Sequence, residues 1–363
     1  MTAAARPRVL HLVPALFGPD GVVGGAERYS LELARHMAGV VPTRLATFGQ
    51  RTEARAIGDL DVRVISGAWH VRGQRTNPWS ARIFSEIARA DVVHCHQQHV
   101  LITSTAAAFC RMTGRPVFAT DLGGGGWDIS AYTSTDAWFD GHLHISEYSR
   151  SVFGHDRNRR ARVILGGVDT GTFTPDRTIQ RRGGPLFVGR LLPHKGVCDL
   201  IAALPAGMRL DLLGPAPDAA YLDQVKQRAA GKEVTFRHGA DDVELVAAYR
   251  RALCTVLPSV YRTPDGNETK VPELLGQTLL ESMACWTPVI CTRVASMPEI
   301  VENGKPGFVV EPGDHRARSE RLEWHASHPV EAASMGAAGR DTVVARFQWN
   351  QVVRRCLDAY AAA

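Results

Sequence analysis

Short apolar runs alternate with helical patterns along the first half of the chain, and this rhythm limits the folds open to it. Strand-like runs occur at residues 8–13, 44–48, 62–65, 92–95, 117–120, 142–145 and 162–165. After a predicted loop at residues 17–25, residues 26–38 place Tyr29, Leu33 and Met37 on one helical face. Strands interleaved with helices form parallel β-α-β units with right-handed crossovers. We therefore predict an α/β fold.

The same rhythm begins again after a polar, arginine-rich segment at residues 176–184. Further strand-like runs occur at residues 185–188, 209–213, 234–237, 253–257, 289–292 and 308–310. The change of composition marks the predicted domain boundary. Two doubly wound halves facing one another would form a central cleft, with ligands beyond the carboxyl ends of the strands. We predict two Rossmann-like domains, residues 1–178 and 179–342, followed by a segment at 343–363.

The composition of the chain is that of a soluble globular protein. Of its 363 residues 45% are hydrophobic and 22% charged, and the net charge is +5. This mild charge does not indicate a nucleic-acid partner, but it tolerates an anionic nucleotide or weak peripheral contact with an acidic membrane. The seven cysteines include no C-x-x-C pair, which is typical of reduced thiols, and no apolar run is long enough to span a membrane. We therefore expect a cytoplasmic protein.

Residues 272–284 form the most informative stretch of the second half. Pro272 and Gly276 interrupt regular structure, and good helix formers follow, so a helix is predicted to begin near Gly276. The N-terminus of a helix suits a phosphate group. Glu273 and Glu281 bracket it, and a carboxylate beside a phosphate is expected to accept hydrogen bonds from sugar hydroxyls. The alternative is an ordinary amphipathic helix with two solvated glutamates.

Seven residues separate Glu273 from Glu281, which is followed by Ser-Met-Ala-Cys-Trp-Thr-Pro-Val-Ile. This pattern resembles the E-x7-E signature of retaining glycosyltransferases of the GT-B fold, in particular glycosyltransferase family 4. The resemblance implies transfer of a sugar from a nucleotide diphosphate sugar, by default a UDP-sugar, to a hydroxyl of a small-molecule, glycan or lipid-linked acceptor. It assigns the donor to the second domain and the acceptor to the first. It also implies a final helix, residues 343–360, that crosses back onto the first domain.

The same resemblance assigns roles to individual residues of the second domain. Glu273 would orient the hydroxyls of the donor sugar and Glu281 the ribose. The segment from Gly189-Arg190 to Lys195-Gly196 resembles the family's diphosphate loop, so Arg190 and Lys195 would neutralise the leaving group. Fixed cations in this role mean that no metal or other cofactor is expected. The remaining donor-binding candidates lie at the start of the predicted helix, namely Gly276, Gln277, Thr278 and Leu279.

In the first domain, Gly24 and Gly25 resemble the family's glycine loop near the donor phosphate. His96 follows a strand where the family often has a histidine pair, and we assign it to the acceptor side and to catalysis. A metal held by His94 and His96 is not favoured, because no cysteine or carboxylate completes a ligand set in sequence.

Three further acceptor-side candidates lie where the sequence departs from the family. Asp121 stands where many members have a histidine, and its role is open. It precedes four glycines, including Gly124, in a loop able to approach a ligand, or simply a flexible one. Trp127 could stack on a sugar. This departure leaves the sugar and the acceptor undetermined.

Two rival functions remain open at this point. A nucleotide-sugar 2-epimerase would share the fold but need an acid and a base about C2, and a non-catalytic protein could bind a nucleotide sugar without turnover. Asp59-Leu60-Asp61 looks like a metal-binding D-x-D but is predicted to be a turn, and residues 261–270 could gate the donor. The sequence does not predict an oligomeric state.

Overall fold

The computed structural model describes residues 6–15, 17–18, 21–22, 24–179, 181 and 183–363. The chain divides into two compact units. Unit 1 comprises residues 1–166 together with Trp349–Ala363, and unit 2 comprises Gly167–Gln348. The predicted loop at 17–25 and the predicted boundary segment at 176–184 lie partly outside the described residues.

Unit 1 is built on an eight-stranded sheet with the order β12-β11-β10-β9-β1-β4-β6-β5. All neighbours run parallel except β5, which pairs antiparallel with β6. The strands described in this unit are β1 (Val9–Leu12), β2 (Phe17–Gly18), β3 (Gly21–Val22), β4 (Thr43–Phe48), β5 (Glu53–Ile57), β6 (Leu60–Ile65), β7 (Trp69–His70), β8 (Pro78–Trp79), β9 (Val92–His96), β10 (Val117–Thr120), β11 (Gly141–His144) and β12 (Ala161–Val163). Two antiparallel pairs, β2 with β3 and β7 with β8, stand apart from the sheet.

Helices cover the sheet of unit 1 and bury its strands. They are α1 (Gly25–Ala38), α2 (Ile83–Ile87), α3 (Leu101–Met112), α4 (Glu147–Val152) and α12 (Trp349–Ala361). Residues of β1, β9 and β10 are buried along their whole length, as expected for central strands of a parallel sheet. The chain's last helix contributes to this unit, because Tyr360 Oη lies 2.7 Å from His94 Nδ1.

Unit 2 contains a six-stranded parallel sheet with the order β15-β14-β13-β16-β17-β18. Its strands are β13 (Leu186–Val188), β14 (Leu210–Leu213), β15 (Val234–Arg237), β16 (Thr255–Leu257), β17 (Val289–Thr292) and β18 (Gly307–Val310). The helices are α5 (Val197–Ala202), α6 (Ala219–Ala229), α7 (Asp242–Arg251), α8 (Gln277–Ala284), α9 (Met297–Ile300), α10 (His315–Ser327) and α11 (Pro329–Arg346). The order reverses next to β13, which is the point where open α/β sheets bind ligands.

The structure corrects the prediction of one final helix over residues 343–360. Helix α11 ends at Arg346 and α12 begins at Trp349. Phe347 has φ −126° and ψ 27°, outside helical values, and its carbonyl accepts a hydrogen bond of 2.8 Å from Val168 N–H. Val168 also forms a parallel bridge with Gln348. This pairing fixes the break between the two helices. Unit 2 therefore extends over Gly167–Gln348, whereas the predicted second domain was residues 179–342.

Smaller predictions can be compared with the structure directly. Asp59 lies in a turn, as predicted, but Asp61 belongs to β6 and is paired with Arg44 and Arg63. All seven cysteines are free thiols, and all except the half-buried Cys198 are buried. None of the helices in the described part of the chain combines the length and apolarity needed to cross a bilayer.

Gly196, the N-cap of α5, allows a test of the local backbone geometry of unit 2. Its φ is +67°, and a Cβ there would lie 2.1 Å from the carbonyl oxygen of Pro258. Gly207 has a similar φ of +72° with open space around it. We expect Gly207→Ala to lower the free energy of unfolding by about 1 kcal/mol, the cost of a left-handed alanine. Gly196→Ala should cost about 3 kcal/mol or more, because a steric clash adds to that strain. Urea unfolding of both variants checks this, and equal losses would contradict it.

Candidate active site

The loop after β13 carries the first predicted cation. Arg190 follows Val188 and Gly189 at the carboxyl end of this central strand, and its side chain is exposed. Within the described residues, no carboxylate forms an ion pair with its guanidinium. The position agrees with the rule that ligands of parallel sheets bind beyond the carboxyl ends of strands. Arg190 is therefore free to meet an anion.

Lys195 is held in a different way, by an ion pair. It ends the 3-10 turn Pro193–Lys195, and its Nζ lies 2.7 Å from Glu273 Oε2 and 3.0 Å from the carbonyl oxygen of Pro272. The side chains of Lys195 and Glu273 are only 13% and 16% exposed. The structure thus brings together two residues that the sequence had assigned to different parts of one ligand.

Glu273 also defines the start of α8. Its Oε1 accepts a hydrogen bond of 3.2 Å from Gly276 N–H, and Gly276 caps the helix with a left-handed φ of 77°. The predicted helix start at Gly276 is confirmed. The first N–H groups of a helix have no partner within it, so the N-terminal end of α8 carries a partial positive charge. This end lies beside the Glu273 carboxylate.

Glu281 is buried inside unit 2. It is 2% exposed, and its Oε2 accepts a hydrogen bond of 2.9 Å from Tyr249 Oη on α7. Gln277 Nε2 lies 3.5 Å from Glu281 Oε1 and donates to Gly167 O at 3.2 Å. The sequence missed Tyr249, because a single tyrosine on a helix gives no signal of its partner. The ribose role of Glu281 stays a prediction.

The other donor-binding candidates divide by exposure. Leu279 is fully buried, so its side chain belongs to the core and only its backbone could serve a ligand. Thr278 is half-buried at the first turn of α8.

Residues 261–270 form a closed loop. Thr263 N–H donates to Asn267 O at 2.8 Å, and an ion pair joins Arg262 to Glu268. Tyr261 Oη accepts from Ala295 N–H at 2.7 Å, which ties the loop to the segment after β17. A gating role for this loop stays a prediction.

In unit 1, the glycine pair lies where the sequence placed it. Gly24 is the N-cap of α1 and Gly25 is its first residue. A Cβ at Gly25 would meet nothing within 4 Å, so the helix start has open space around it.

His96 lies in a buried imidazole cluster. It is 1% exposed, and its Nε2 is 2.8 Å from His11 Nδ1, while His94 bonds Thr120 and Tyr360. Burial lowers the pKa of His11 to about 3 and those of His94 and His96 well below the usual value. The sequence missed His11, which is paired with His94 across β1 and β9. The assignment of His96 to the acceptor stays a prediction, because its side chain is not at the surface.

Asp121 directly follows β10 and is also buried. It is 5% exposed, its Oδ1 accepts from Gly123 N–H at 2.9 Å, and its Oδ2 lies 3.8 Å from His99 Nε2. Burial raises the pKa of this carboxyl.

The four-glycine loop packs against its own unit. A Cβ at Gly124 would lie 2.1 Å from Gln97 Nε2, and Gln97 has a strained φ of 102° for a residue with a side chain. Trp127 is half-buried, with the guanidinium carbon of Arg72 4.6 Å from its ring centre and Tyr132 at its edge. Gly124 itself is exposed, and the nearest atoms to a Cβ there belong to the movable amide of Gln97. Arg72 already covers one face of the proposed sugar platform.

Three groups of side chains could hold a metal ion in the described residues. Two lie within unit 1: His11 with His94 and His96, and Asp136 with His142 and His155. The sequence missed the second group, because its members lie on separate elements.

Comparison with known proteins gives one family match and several similar proteins. Residues 185–342 match the model of the family "Glycosyl transferases group 1". The chain is 28% identical over 302 residues to a glycogen synthase of Mycobacterium tuberculosis, covering 76% of this chain and 69% of the relative. It is 34% identical over 228 residues to the GDP-mannose-dependent alpha-(1-6)-phosphatidylinositol monomannoside mannosyltransferase of Mycolicibacterium smegmatis, covering 57% and 58%.

Solved structures show the same fold at low sequence identity. Sucrose-phosphate synthase from Thermosynechococcus elongatus superposes with a TM-score of 0.77 at 19% identity, covering 98% of this chain and 99% of that one. Anabaena HepE, solved with UDP-glucose, gives a TM-score of 0.74 at 16% identity, covering 98% and 100%. With a group 1 domain that contains the Lys195–Glu273 pair, and with two Rossmann-like sheets, this protein is a glycosyltransferase of the GT-B fold.

Proposed function

We propose that the protein is a retaining glycosyltransferase of the E-x7-E type, with unit 2 binding a nucleotide diphosphate sugar and fixed cations rather than a metal neutralising the diphosphate. The observation that carries this proposal is the meeting of Lys195, Glu273 and the N-terminus of α8. The ammonium group of Lys195, a carboxylate that can accept hydrogen bonds from sugar hydroxyls, and a helix N-terminus that can bind phosphate thus occur together. All three lie at the carboxyl edge of one parallel sheet.

The charge of the leaving diphosphate can be balanced by groups of unit 2. Arg190 is exposed and has no ion-pair partner among the described residues, so it offers a full positive charge. Lys195 shares its charge with Glu273, and the first N–H groups of α8 add a partial positive charge. Such preorganised groups stabilise the charge that develops as the glycosidic bond opens.

The two carboxylates are not arranged as nucleophiles. Glu273 is engaged at both oxygens, by Lys195 and by Gly276 N–H, and Glu281 is buried against Tyr249. A front-face reaction fits this arrangement. The bond from the anomeric carbon to the leaving phosphate oxygen breaks, the bond to the acceptor oxygen forms on the same face, and the acceptor proton passes to that phosphate oxygen.

The resemblance to E-x7-E glycosyltransferases supplies the roles on the ligand. Glu273 would hold hydroxyls of the donor sugar, Glu281 the ribose, and the glycines of α1 in unit 1 would approach the donor phosphate. His96, Asp121, Gly124 and Trp127 remain the acceptor-side candidates, for a small-molecule, glycan or lipid-linked acceptor.

The base of the nucleotide is the least constrained part of the proposal. One relative is named as GDP-mannose-dependent, and one structural neighbour was solved with UDP-glucose. We take a UDP-sugar as the first donor to test, with GDP-mannose as the second.

The stereochemistry of the product tests the proposed reaction. With whichever donor is turned over, we expect the new linkage to keep the anomeric configuration of the donor, because attack and departure share one face. Proton NMR of the anomeric position in the product linkage measures it. An inverted linkage would exclude the mechanism, and interconversion of the donor sugar without transfer would indicate an epimerase.

Metal independence at the diphosphate can be measured by binding alone. We expect the Kd of the nucleoside diphosphate to be the same in EDTA and in Mg²⁺. Arg190→Gln should weaken binding by about 1.5–3 kcal/mol, the loss of a hydrogen bond to a charged group. Arg316→Gln is the control, since Arg316 is an exposed arginine of the same unit that pairs with Glu320 on α10. Binding that requires Mg²⁺ would contradict the assignment.

The two glutamates should differ in which ligand they affect. Glu281→Gln should weaken the nucleoside diphosphate and the intact donor alike, by about 1.5–3 kcal/mol, because both ligands carry the ribose. Glu273→Gln should not weaken binding of the nucleoside diphosphate, which lacks the donor sugar that Glu273 is proposed to hold, and it also releases Lys195 from its ion pair. The effect of Glu273→Gln should appear as weaker binding of the intact donor and as a lower kcat.

Calorimetric titration of both ligands into both variants, with kinetics, measures this difference. Tyr249→Phe is the matched control, because it removes the hydrogen bond to Glu281 but leaves the carboxylate. Equal loss of the nucleoside diphosphate in Glu273→Gln and Glu281→Gln would show that the two roles are wrongly assigned.

A further inference from the structure

A cluster of polar side chains in unit 1, which we name the Asp136 cluster, lies outside the residues assigned to the donor and the acceptor. It consists of Asp136, His142 and His155, with Gln98 and His144 behind them. Asp136 begins the 3-10 turn Asp136–Trp138, His142 and His144 lie on β11, and His155 follows α4. One ligand atom from each of Asp136, His142 and His155 lies within 4.8 Å of the other two.

Gln98 determines the orientation of His142. The amide nitrogen Nε2 of Gln98 donates to Asp136 Oδ1 at 2.7 Å. The other end of the same amide, Oε1, therefore faces His142 and lies 3.1 Å from its Nδ1. On its other side, His142 Nε2 lies 3.2 Å from the backbone carbonyl of Asp136. The imidazole therefore faces two acceptors, although a neutral ring has only one N–H. With the proton on Nδ1, the Nε2 lone pair faces the carbonyl oxygen of Asp136, an unfavourable contact that a bound cation would relieve.

His155 is oriented in a similar manner. Its Nδ1 lies 2.9 Å from His144 Nε2, and its Nε2 lies 3.5 Å from Asp136 Oδ1. His144 Nδ1 is buried and has no hydrogen-bond partner among the described residues. If His155 Nδ1 donates to His144, the Nε2 lone pair of His155 faces the Asp136 carboxylate. One nitrogen of each imidazole and one carboxylate oxygen thus lie within 4.8 Å of one another.

We propose that the Asp136 cluster binds a divalent first-row transition metal ion, with Zn²⁺ as the default, through His142 Nε2, His155 Nε2 and the Asp136 carboxylate. The 3.5 Å between His155 Nε2 and Asp136 Oδ1 is close to the edge of a tetrahedron with bonds of about 2.1 Å, which is about 3.4 Å. Gln98 and His144 hold the ligands from behind, as outer groups do at metal sites.

The accessibility of the cluster suits an exchangeable ion. His142 and His155 are 1% and 4% exposed, whereas the side chain of Asp136 is 42% exposed, which leaves an approach for the ion and for water. Two imidazoles with one carboxylate favour zinc or iron over Mg²⁺ or Ca²⁺. The proposed site departs from the expectation from sequence that the protein holds no metal, an expectation that the titration below tests.

The other imidazole cluster of unit 1 is a weaker candidate. His11, His94 and His96 are all buried, and no carboxylate is among them. An ion there would be desolvated without a compensating negative charge, which is costly. His94 also has both nitrogens within hydrogen-bond distance of a hydroxyl, on Thr120 and on Tyr360.

Metal titration of tag-free protein, stripped with a chelator and then dialysed, tests the site. We expect wild-type protein to bind one equivalent of Co²⁺, seen in its visible absorption spectrum, and to exchange it for Zn²⁺. Asp136→Asn should weaken Co²⁺ binding about 100-fold or more, since it removes the charged ligand but keeps an oxygen for Gln98. Gln98→Ala should weaken it about 10-fold while leaving all three ligands in place.

His315→Ala is the matched control. His315 forms a single His–Asp pair in unit 2, with its Nε2 3.3 Å from Asp199 Oδ1, so removing it should leave Co²⁺ affinity unchanged. Equal Co²⁺ affinity in wild type, Asp136→Asn and Gln98→Ala would overturn the proposal. The readout is independent of glycosyl transfer, so failure of the proposed function would not affect it.

Discussion

The ion pair between Lys195 and Glu273 holds the candidate active site of unit 2 together. It joins the loop after β13 to the loop before α8, two segments that the parallel sheet brings to one edge. Through Gly276 N–H, the same carboxylate also fixes the start of α8. The two side chains are 13% and 16% exposed, so each charge is compensated mainly by the other rather than by water. Ligand binding must therefore work within this arrangement rather than create it.

The two units use buried polar groups in different ways. In unit 2, the buried carboxylate of Glu281 has a hydroxyl donor in Tyr249, and the exposed cation is Arg190. In unit 1, buried imidazoles pair with each other and with hydroxyls, and burial keeps His11 neutral. Neutral imidazoles are the form that binds metal, whereas a diphosphate needs permanent charge. The function proposed for each unit thus depends on whether its polar groups are neutral or charged.

Local pattern was sufficient for most of the fold. The strands at 117–120, 234–237 and 289–292 have the predicted bounds. The first and the last are buried along their whole length, as expected of mainly apolar runs in a parallel sheet, whereas 234–237 is a half-exposed edge strand with alternating burial. The antiparallel edge strand β5 (Glu53–Ile57) escaped prediction, since it is mostly exposed and carries charged residues. The break between α11 and α12 also escaped, because it depends on Val168 pairing with residues 347 and 348 far along the chain.

The sequence by itself determined the α/β class, the helix that begins at Gly276 and the spacing of Glu273 and Glu281, because each depends on neighbours within one or two turns of chain. Only the tertiary structure decided that Lys195 meets Glu273, 78 residues away, and that His11 joins His96. It also decided that Asp136, His142 and His155 converge. Such contacts are set by strand order and loop geometry, and no local propensity encodes which side chains the carboxyl ends of different strands bring together.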